Sequence, residues 1–324
     1  MALPIRTPER STQAARPESG VEPAPPVRRV RRTSTPWTAL AIFLPPALLL
    51  FTVFVILPVG ESIYYSFAPF RWNGYGPPQV TELNFGNYIR TFNDPIFWSA
   101  FSNNLLVVAV SAFIQVPLAL MLALFIADRR PSNLFFRGLF FVPYILADVV
   151  AGLIFRYLFD GEYGLAGQLA DVFHFPVRFW LGERGWATAA LLIVVAWKYF
   201  GFHMALFIAG RQNVPEDVIE SAIIDGASRW QITRHIVLPL MRPVVMLSLF
   251  FAILGSFQLF DVIIPLTGGG PLDSSHSVVS YLYTFGIKRM RLSFGSAVGT
   301  LLFIWCVMVM IFYKRFLLRP RGAT

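Results

Sequence analysis

The chain has 324 residues, 56% of them apolar and only 14% charged, where a soluble domain carries roughly 25% charged residues; with 32 Phe and a mean hydropathy of +0.59, this composition points to a polytopic membrane protein and away from a soluble globular domain. A single cysteine, Cys306, lies in an apolar run, which excludes an internal disulfide and a thiolate metal centre. The net charge of +9 raises nucleic acid or anionic lipid as partners, and the positions of the charges decide between them.

Residues 1–36 are rich in Pro, Arg, Ser, Thr and Glu. They bury too little apolar surface to offset the entropy of ordering, so a disordered tail is expected. This polar stretch is too long for a signal peptide, and the apolar run after it is too long for an h-region.

Six apolar runs follow, at about 37–59, 105–127, 139–159, 186–209, 244–266 and 293–313. Each is near the ~20 residues that a helix needs to cross ~30 Å of hydrocarbon. Backbone groups in lipid must be satisfied within the segment, so the runs predict six transmembrane helices and an all-α fold. Pro45, Pro46, Pro117, Pro143 and Pro265 mark places where kinks are expected. About 40 residues separate the first two runs.

The basic residues orient the spans. Seven precede residue 37; with Arg129, Arg130, Arg137, Arg211, Arg229, Arg234, Arg242, Lys314, Arg315, Arg319 and Arg321 they make eighteen on one side. Arg71, Arg90, Arg178, Arg184, Lys288, Arg289 and Arg291 make seven on the other. Both termini and the loop between the fourth and fifth runs are therefore expected in the cytoplasm, with the cluster at 288–291 going against the rule. The net positive charge is thus mostly an orientation signal, and no soluble basic face remains for nucleic acid.

That loop, 215–240, reads as two short helices. Pro215 suits a first helical position, and Glu216 and Asp217 sit at the positive end of the helix dipole. Val218, Ile219, Ala222 and Ile223 form one apolar stripe. Gly226 suits a left-handed C-terminal cap, and Ser228 suits the start of a second helix carrying Trp230, Ile236 and Val237 toward Pro239. Chemistry alone leaves two readings: a surface gripped by another protein, with small residues at 222, 226 and 227 admitting a partner's cleft, or an amphipathic helix lying on the bilayer.

Glu220, Ala222, Gly226, Ile236, Leu238 and Pro239 stand at the offsets Glu-Ala-Ala, three residues, Gly, nine residues, Ile-x-Leu-Pro, with Ser221 in place of the usual first Ala. The pattern resembles the coupling signature of permease subunits of binding-protein-dependent ABC importers. The likeness extends over most of 38–318. Phe136-Arg137-Gly138, Phe141-Val142-Pro143-Tyr144, Glu162-Tyr163-Gly164-Leu165, Gly255-Ser256-Phe257-Gln258-Leu259-Phe260-Asp261 and Thr267-Gly268-Gly269-Gly270-Pro271 look like the carbohydrate branch, first-permease type. The short segment after the first span resembles lactose, multiple-sugar and glycerol-phosphate members rather than the maltose type.

The resemblance implies a transmembrane permease domain over 37–318, containing the coupling loop, and a C-terminal tail at 319–324. It implies a bacterial inner-membrane location and no catalytic residue. Glu220, Ala222, Asp225, Gly226, Ala227, Ile236, Leu238 and Pro239 would meet an ATPase. The implied partners are a second related permease, two copies of a cytoplasmic ATPase carrying ATP and magnesium, and an extracellular or periplasmic solute-binding protein. The chain itself would bind no cofactor. Its three lysines, Lys198, Lys288 and Lys314, are not followed by Ser or Thr, so it has no Walker A loop.

Polar groups within spans cost about 2.5–3.5 kcal/mol on insertion scales and therefore suggest a pathway or a partner. Asp148, Lys198, Gln258 and Asp261 lead, with Asn104, Gln115 and Arg156 behind; Tyr144, Trp197, Tyr199 and Phe257 supply rings for the apolar faces of a sugar. Interhelical hydrogen bonding is the plainer reading of each, and Arg156 and Lys198 have stems long enough to snorkel to headgroups. The four His show no metal-ligand spacing. An ion-coupled secondary transporter using Asp148 and Asp261, or a membrane scaffold without a pore, are the competing classes.

Overall fold

The computed structural model describes residues 37–70, 80–127, 131–174 and 179–317; the expected tails at 1–36 and 319–324 lie outside them. All regular structure among the described residues is helical. The chain divides at Thr52 into two units. The described part of the first includes the apolar helix Trp37–Phe51, with Pro45 and Pro46 inside it and every described side chain exposed. The second unit begins at Val53 and holds every helix after that residue.

Among the described residues, five helices are long and apolar enough to cross a membrane: α1 (Leu40–Ser66), α2 (Pro95–Ile126), α5 (Arg184–Gln212), α7 (Arg229–Gln258) and α9 (Leu292–Arg315). The pair α3 (Pro131–Ile145) and α4 (Asp148–Leu158) makes a sixth span if counted as one, but the two are bent by 94°. The continuous third helix expected over 139–159 is therefore broken. Ala147 is extended (φ −62°, ψ 141°), which ends α3 and restarts the chain at Asp148.

Several boundaries move for local reasons. Helix α2 begins well before Leu105, because the Asp94 carboxylate accepts from the Ile96 N–H at 2.9 Å and Pro95 occupies the first turn. Helix α7 starts before and ends before the expected 244–266. The second loop helix does not stop at Pro239 but continues into the fifth span, and the chain leaves it at Gln258 for a single helical turn, Ile263–Leu266, packed on α4. Between α7 and α9 lies an unforeseen short helix, α8 (Val278–Ile287).

Of the five widened, π-type turns among the described residues, three lie at Thr52–Ile56, Ser111–Gln115 and Thr233–Val237. Each ends two residues before a proline: Pro58, Pro117 and Pro239. A proline removes a donor and crowds the carbonyl four residues earlier. Widening the preceding turn moves that carbonyl aside, so the helix bulges and continues.

Helix α5 is the central strut. It packs against α2, α3 and α7, and Ala190, Leu191, Val194, Met204 and Phe207 on it are buried. Gly201 sets its distance from α3: a Cβ there would lie 2.2 Å from the Phe140 carbonyl oxygen. After α4, the Asp160 carboxylate accepts from the Tyr163 N–H at 2.8 Å and the Glu162 N–H at 3.0 Å. These bonds hold its carboxyl below the ordinary range.

Candidate coupling loop and translocation cavity

The loop forms α6 (Glu216–Ile224), a turn, and the start of α7. Pro215 is the residue before α6 rather than its first, with ψ 132°. Gly226 takes φ +80°, the Ala227 N–H reaches the Ala222 carbonyl at 2.9 Å, and the Gly226 N–H reaches the Ile223 carbonyl at 3.0 Å. This 6→1 and 5→2 pair is a Schellman closure. Ser228 then caps α7 in a capping box: its N–H donates to Gln231 Oε1 at 2.7 Å, and its Oγ accepts from the Gln231 N–H at 3.4 Å. The Ser221 hydroxyl donates to the Asp217 carbonyl at 2.6 Å within its own helix.

The expected single apolar stripe of α6 divides into two faces. Ala222 is buried and Ile219 half-buried against Met204, Phe207, Val237 and Met241. Ile223 is 59% exposed and Ile224 85% exposed. The small side chain at 222 therefore serves the chain's own core and not a partner's cleft. Glu220, Asp225 and Gly226 are exposed, Ala227 and Ile236 half-buried, Leu238 half-buried and Pro239 exposed. Trp230, which the motif does not include, is exposed beside them.

At the other end of α7 lies a cavity of about 470 Å³. It brings together Tyr144 of α3, Asp148 of α4, Tyr199 of α5, Gln258 of α7 and Asp261 just beyond it. Lys198 Nζ lies 2.9 Å from Asp148 Oδ1, donates to the Pro143 carbonyl at 3.3 Å, and also donates to the Leu146 carbonyl. Lys198 is buried and does not snorkel; it satisfies the carbonyls that the break between α3 and α4 leaves open. The Tyr199 hydroxyl donates to Asp148 Oδ2 at 3.1 Å.

Other candidates fall elsewhere. Asn104 is buried in a clamp: its side-chain amide donates to the Ser256 carbonyl, its Oδ1 accepts from the Val278 N–H at 2.9 Å, and its carbonyl accepts from Ser256 Oγ at 2.7 Å. It ties α2 to α7 and α8 and does not line the cavity. Trp197 faces away from the cavity, edge-on to Phe155 at 4.9 Å. Phe257 is buried against Phe101 and Trp305. Arg156 is exposed in the last turn of α4. Gln115 lines the cavity while its amide donates to the Ala196 carbonyl at 3.1 Å.

The lining also holds Ser111, Phe202 and Phe251, which composition does not single out, and His203, whose place in an apolar run reads as that of a hydrogen-bonded structural His. His203 Nδ1 and Ser248 Oγ share a hydrogen bond of 2.7 Å. A periodic signal existed for them. Residues 251, 255 and 258 lie on one face of α7, and 195, 199 and 202 on one face of α5. Among the described residues no group of His, Cys, Asp and Glu is placed to hold a metal.

Comparison with known proteins gives this arrangement a context. Residues 115–321 match the family described as "Binding-protein-dependent transport system inner membrane component". The chain is similar to the sulfoquinovosyl glycerol transport system permease protein SmoG of Agrobacterium fabrum, 30% identical over 85% of this chain and 88% of that protein. It is similar to the diacetylchitobiose uptake system permease protein NgcF of Streptomyces coelicolor, 30% identical over 91% and 86%. The fold matches a chain of a bacterial ABC transporter involved in the import of the acidic polysaccharide alginate, with a TM-score of 0.77 at 20% identity, covering 88% of this chain and 96% of that one. The broken third span, the capped loop and a match across most of the chain lead to one conclusion: this protein belongs to the family of inner membrane components of binding-protein-dependent transport systems.

Proposed function

We propose that the chain is one permease half of an ATP-driven importer for a sugar or sugar-like solute, and that residues 215–240 receive the force of a separate ATPase. One observation carries the reading. A single helix, α7, runs from the capped turn at Ser228 to Gln258 at the cavity wall. At 1.5 Å per residue its 30 residues span about 45 Å. That exceeds ~30 Å of hydrocarbon, so one end reaches water while the other touches the pathway.

Mechanism follows from that lever. Closure of an ATPase dimer moves the docked loop, with Glu220, Ile224, Asp225 and Trp230 as the gripped surface. The Schellman turn and capping box keep α6 and α7 moving together. Ala222, packed against α2, α5 and α7, passes the motion to the bundle. ATP binding biases the two states only through contacts that differ between them, and this loop is where the bias enters. The other proposed partners are a second permease that completes the pathway and an external binding protein that delivers solute. The distribution of Arg and Lys supports cytoplasmic termini and a cytoplasmic loop. The names of the relatives SmoG and NgcF support a carbohydrate substrate.

The test is reconstitution of the assembled transporter. Gly226→Asp and Glu220→Lys should each abolish ATP-driven uptake while membrane insertion stays intact. Uptake that persists with the whole segment 215–240 disrupted, or that follows an ion gradient without ATP, would remove the coupling reading.

A further inference from the structure

The charges around the cavity bear on which solute passes, given that the chain is a permease half as proposed above. The described lining contains two carboxylates, Asp148 and Asp261, and no Lys or Arg. The cation behind it, Lys198, is 1% exposed. An ammonium has three N–H donors; here its neighbours are Asp148 Oδ1 and the carbonyls of Pro143 and Leu146. Three acceptors for three donors leave nothing to offer a solute. The Asp148–Lys198 pair is neutral as a unit, and Asp148 Oδ2 already accepts from Tyr199.

Asp261 differs. It is exposed, and no hydrogen bond or ion pair to its carboxylate occurs among the described residues. A carboxylate only accepts hydrogen bonds, so it matches hydroxyl groups. Rings supply the other half of the match. Tyr144 stacks on Phe202 at 5.2 Å, and Phe251 stands edge-on to Phe202 at 5.6 Å. A hydroxyl-rich molecule donates O–H to Asp261 and lays its C–H faces on these rings. A carboxylate or sulfonate on the solute brings a second negative charge beside Asp261, in a lining that has no Lys or Arg and whose one imidazole, His203, is tied to Ser248, and like charges repel.

We propose that this half of the pathway selects by charge: Asp261 admits uncharged, hydroxyl-rich solutes and rejects anionic ones, because Asp148 and the Pro143 and Leu146 carbonyls hold Lys198 out of reach.

The experiment uses the complete transporter in proteoliposomes, with its partner subunits and delivery protein. A panel of uncharged sugars and polyols is compared with uronate and sulfonate counterparts of the same length. Each uptake rate is divided by the occupancy of the delivery protein, so that its own preference drops out. The expected result is at least a tenfold preference for the uncharged member of a pair. Asp261→Asn should shrink that preference at least threefold, with the melting temperature and subunit co-purification of the assembled transporter reporting that the variant is folded, and Asp261→Lys should reverse it. Equal uptake of both members by the unaltered protein, or a preference that neither Asp261 variant moves, overturns the proposal and leaves the permease reading standing. ATP-driven uptake of neither class overturns both.

Discussion

At the scale of single residues, Lys198 shows how a group changes meaning once its neighbours are known. By sequence it is an ammonium in an apolar run, a candidate for a pathway or a partner with a stem long enough to snorkel. In the fold it is the pin of a broken helix, bonded to both the end of α3 and the beginning of α4. Removing Lys198 leaves the Asp148 carboxylate, one third exposed, without its counter-charge and two backbone carbonyls without their donor. Lys198→Met should therefore lower the melting temperature of the detergent-solubilised protein and depress transport. Adding Asp148→Asn removes the stranded charge, so the double variant should melt closer to the unaltered protein than Lys198→Met does. Additive losses would show that the pair does not act as a unit. Gly226 is the contrasting case, because its role was readable from residue type. A left-handed turn favours glycine, and a Cβ there would meet nothing within 4 Å, so the constraint is conformational and not steric.

At the scale of elements, the loop between the fourth and fifth spans carries two faces with separate duties. Ala222 and Ile219 anchor α6 to the bundle, whereas Ile223, Ile224 and Trp230 stand in solvent. Changes on the two faces should fail differently. Ala222→Leu overfills a packed site and should destabilise the chain by about 1–3 kcal/mol, seen as a lower melting temperature. Ile224→Ser touches no core and should leave melting unchanged while weakening co-purification of the ATPase at least severalfold. Normal ATPase recovery with Ile224→Ser would move the docking surface elsewhere. The loop's caps were legible because Gly226 and Ser228 act through their own backbone and nearest neighbours. The division of the stripe was not, since Val218, Ile219, Ala222 and Ile223 are all apolar and only packing decides which of them is covered. The join between loop and fifth span was hidden for a similar reason. Pro239 reads as a helix stop, and a widened turn at Thr233–Val237 lets the helix pass it.

At the scale of the whole molecule, the proposed coupling runs along α7 from the loop to the cavity. Asp261→Ala should weaken solute-stimulated ATP hydrolysis of the assembled transporter more than it alters hydrolysis without solute; equal effects on both would assign Asp261 a structural role. The sequence by itself determined the class of the protein, an all-α membrane chain with a signature loop, because hydrophobic run length, charge placement and a twenty-residue motif are local quantities. It also singled out several of the polar residues that line the cavity, among them Asp148, Tyr199, Gln258 and Asp261. The tertiary structure decided what they do. Asn104 and Tyr199 are both polar residues within apolar helices, yet one is sealed in a clamp between α2, α7 and α8 while the other lines the cavity. The break in the third span depends on carbonyls meeting a lysine 52 and 55 residues away in the chain. Such contacts follow from how helices pack and turn about their axes, and one chain's order of residues does not state that in advance.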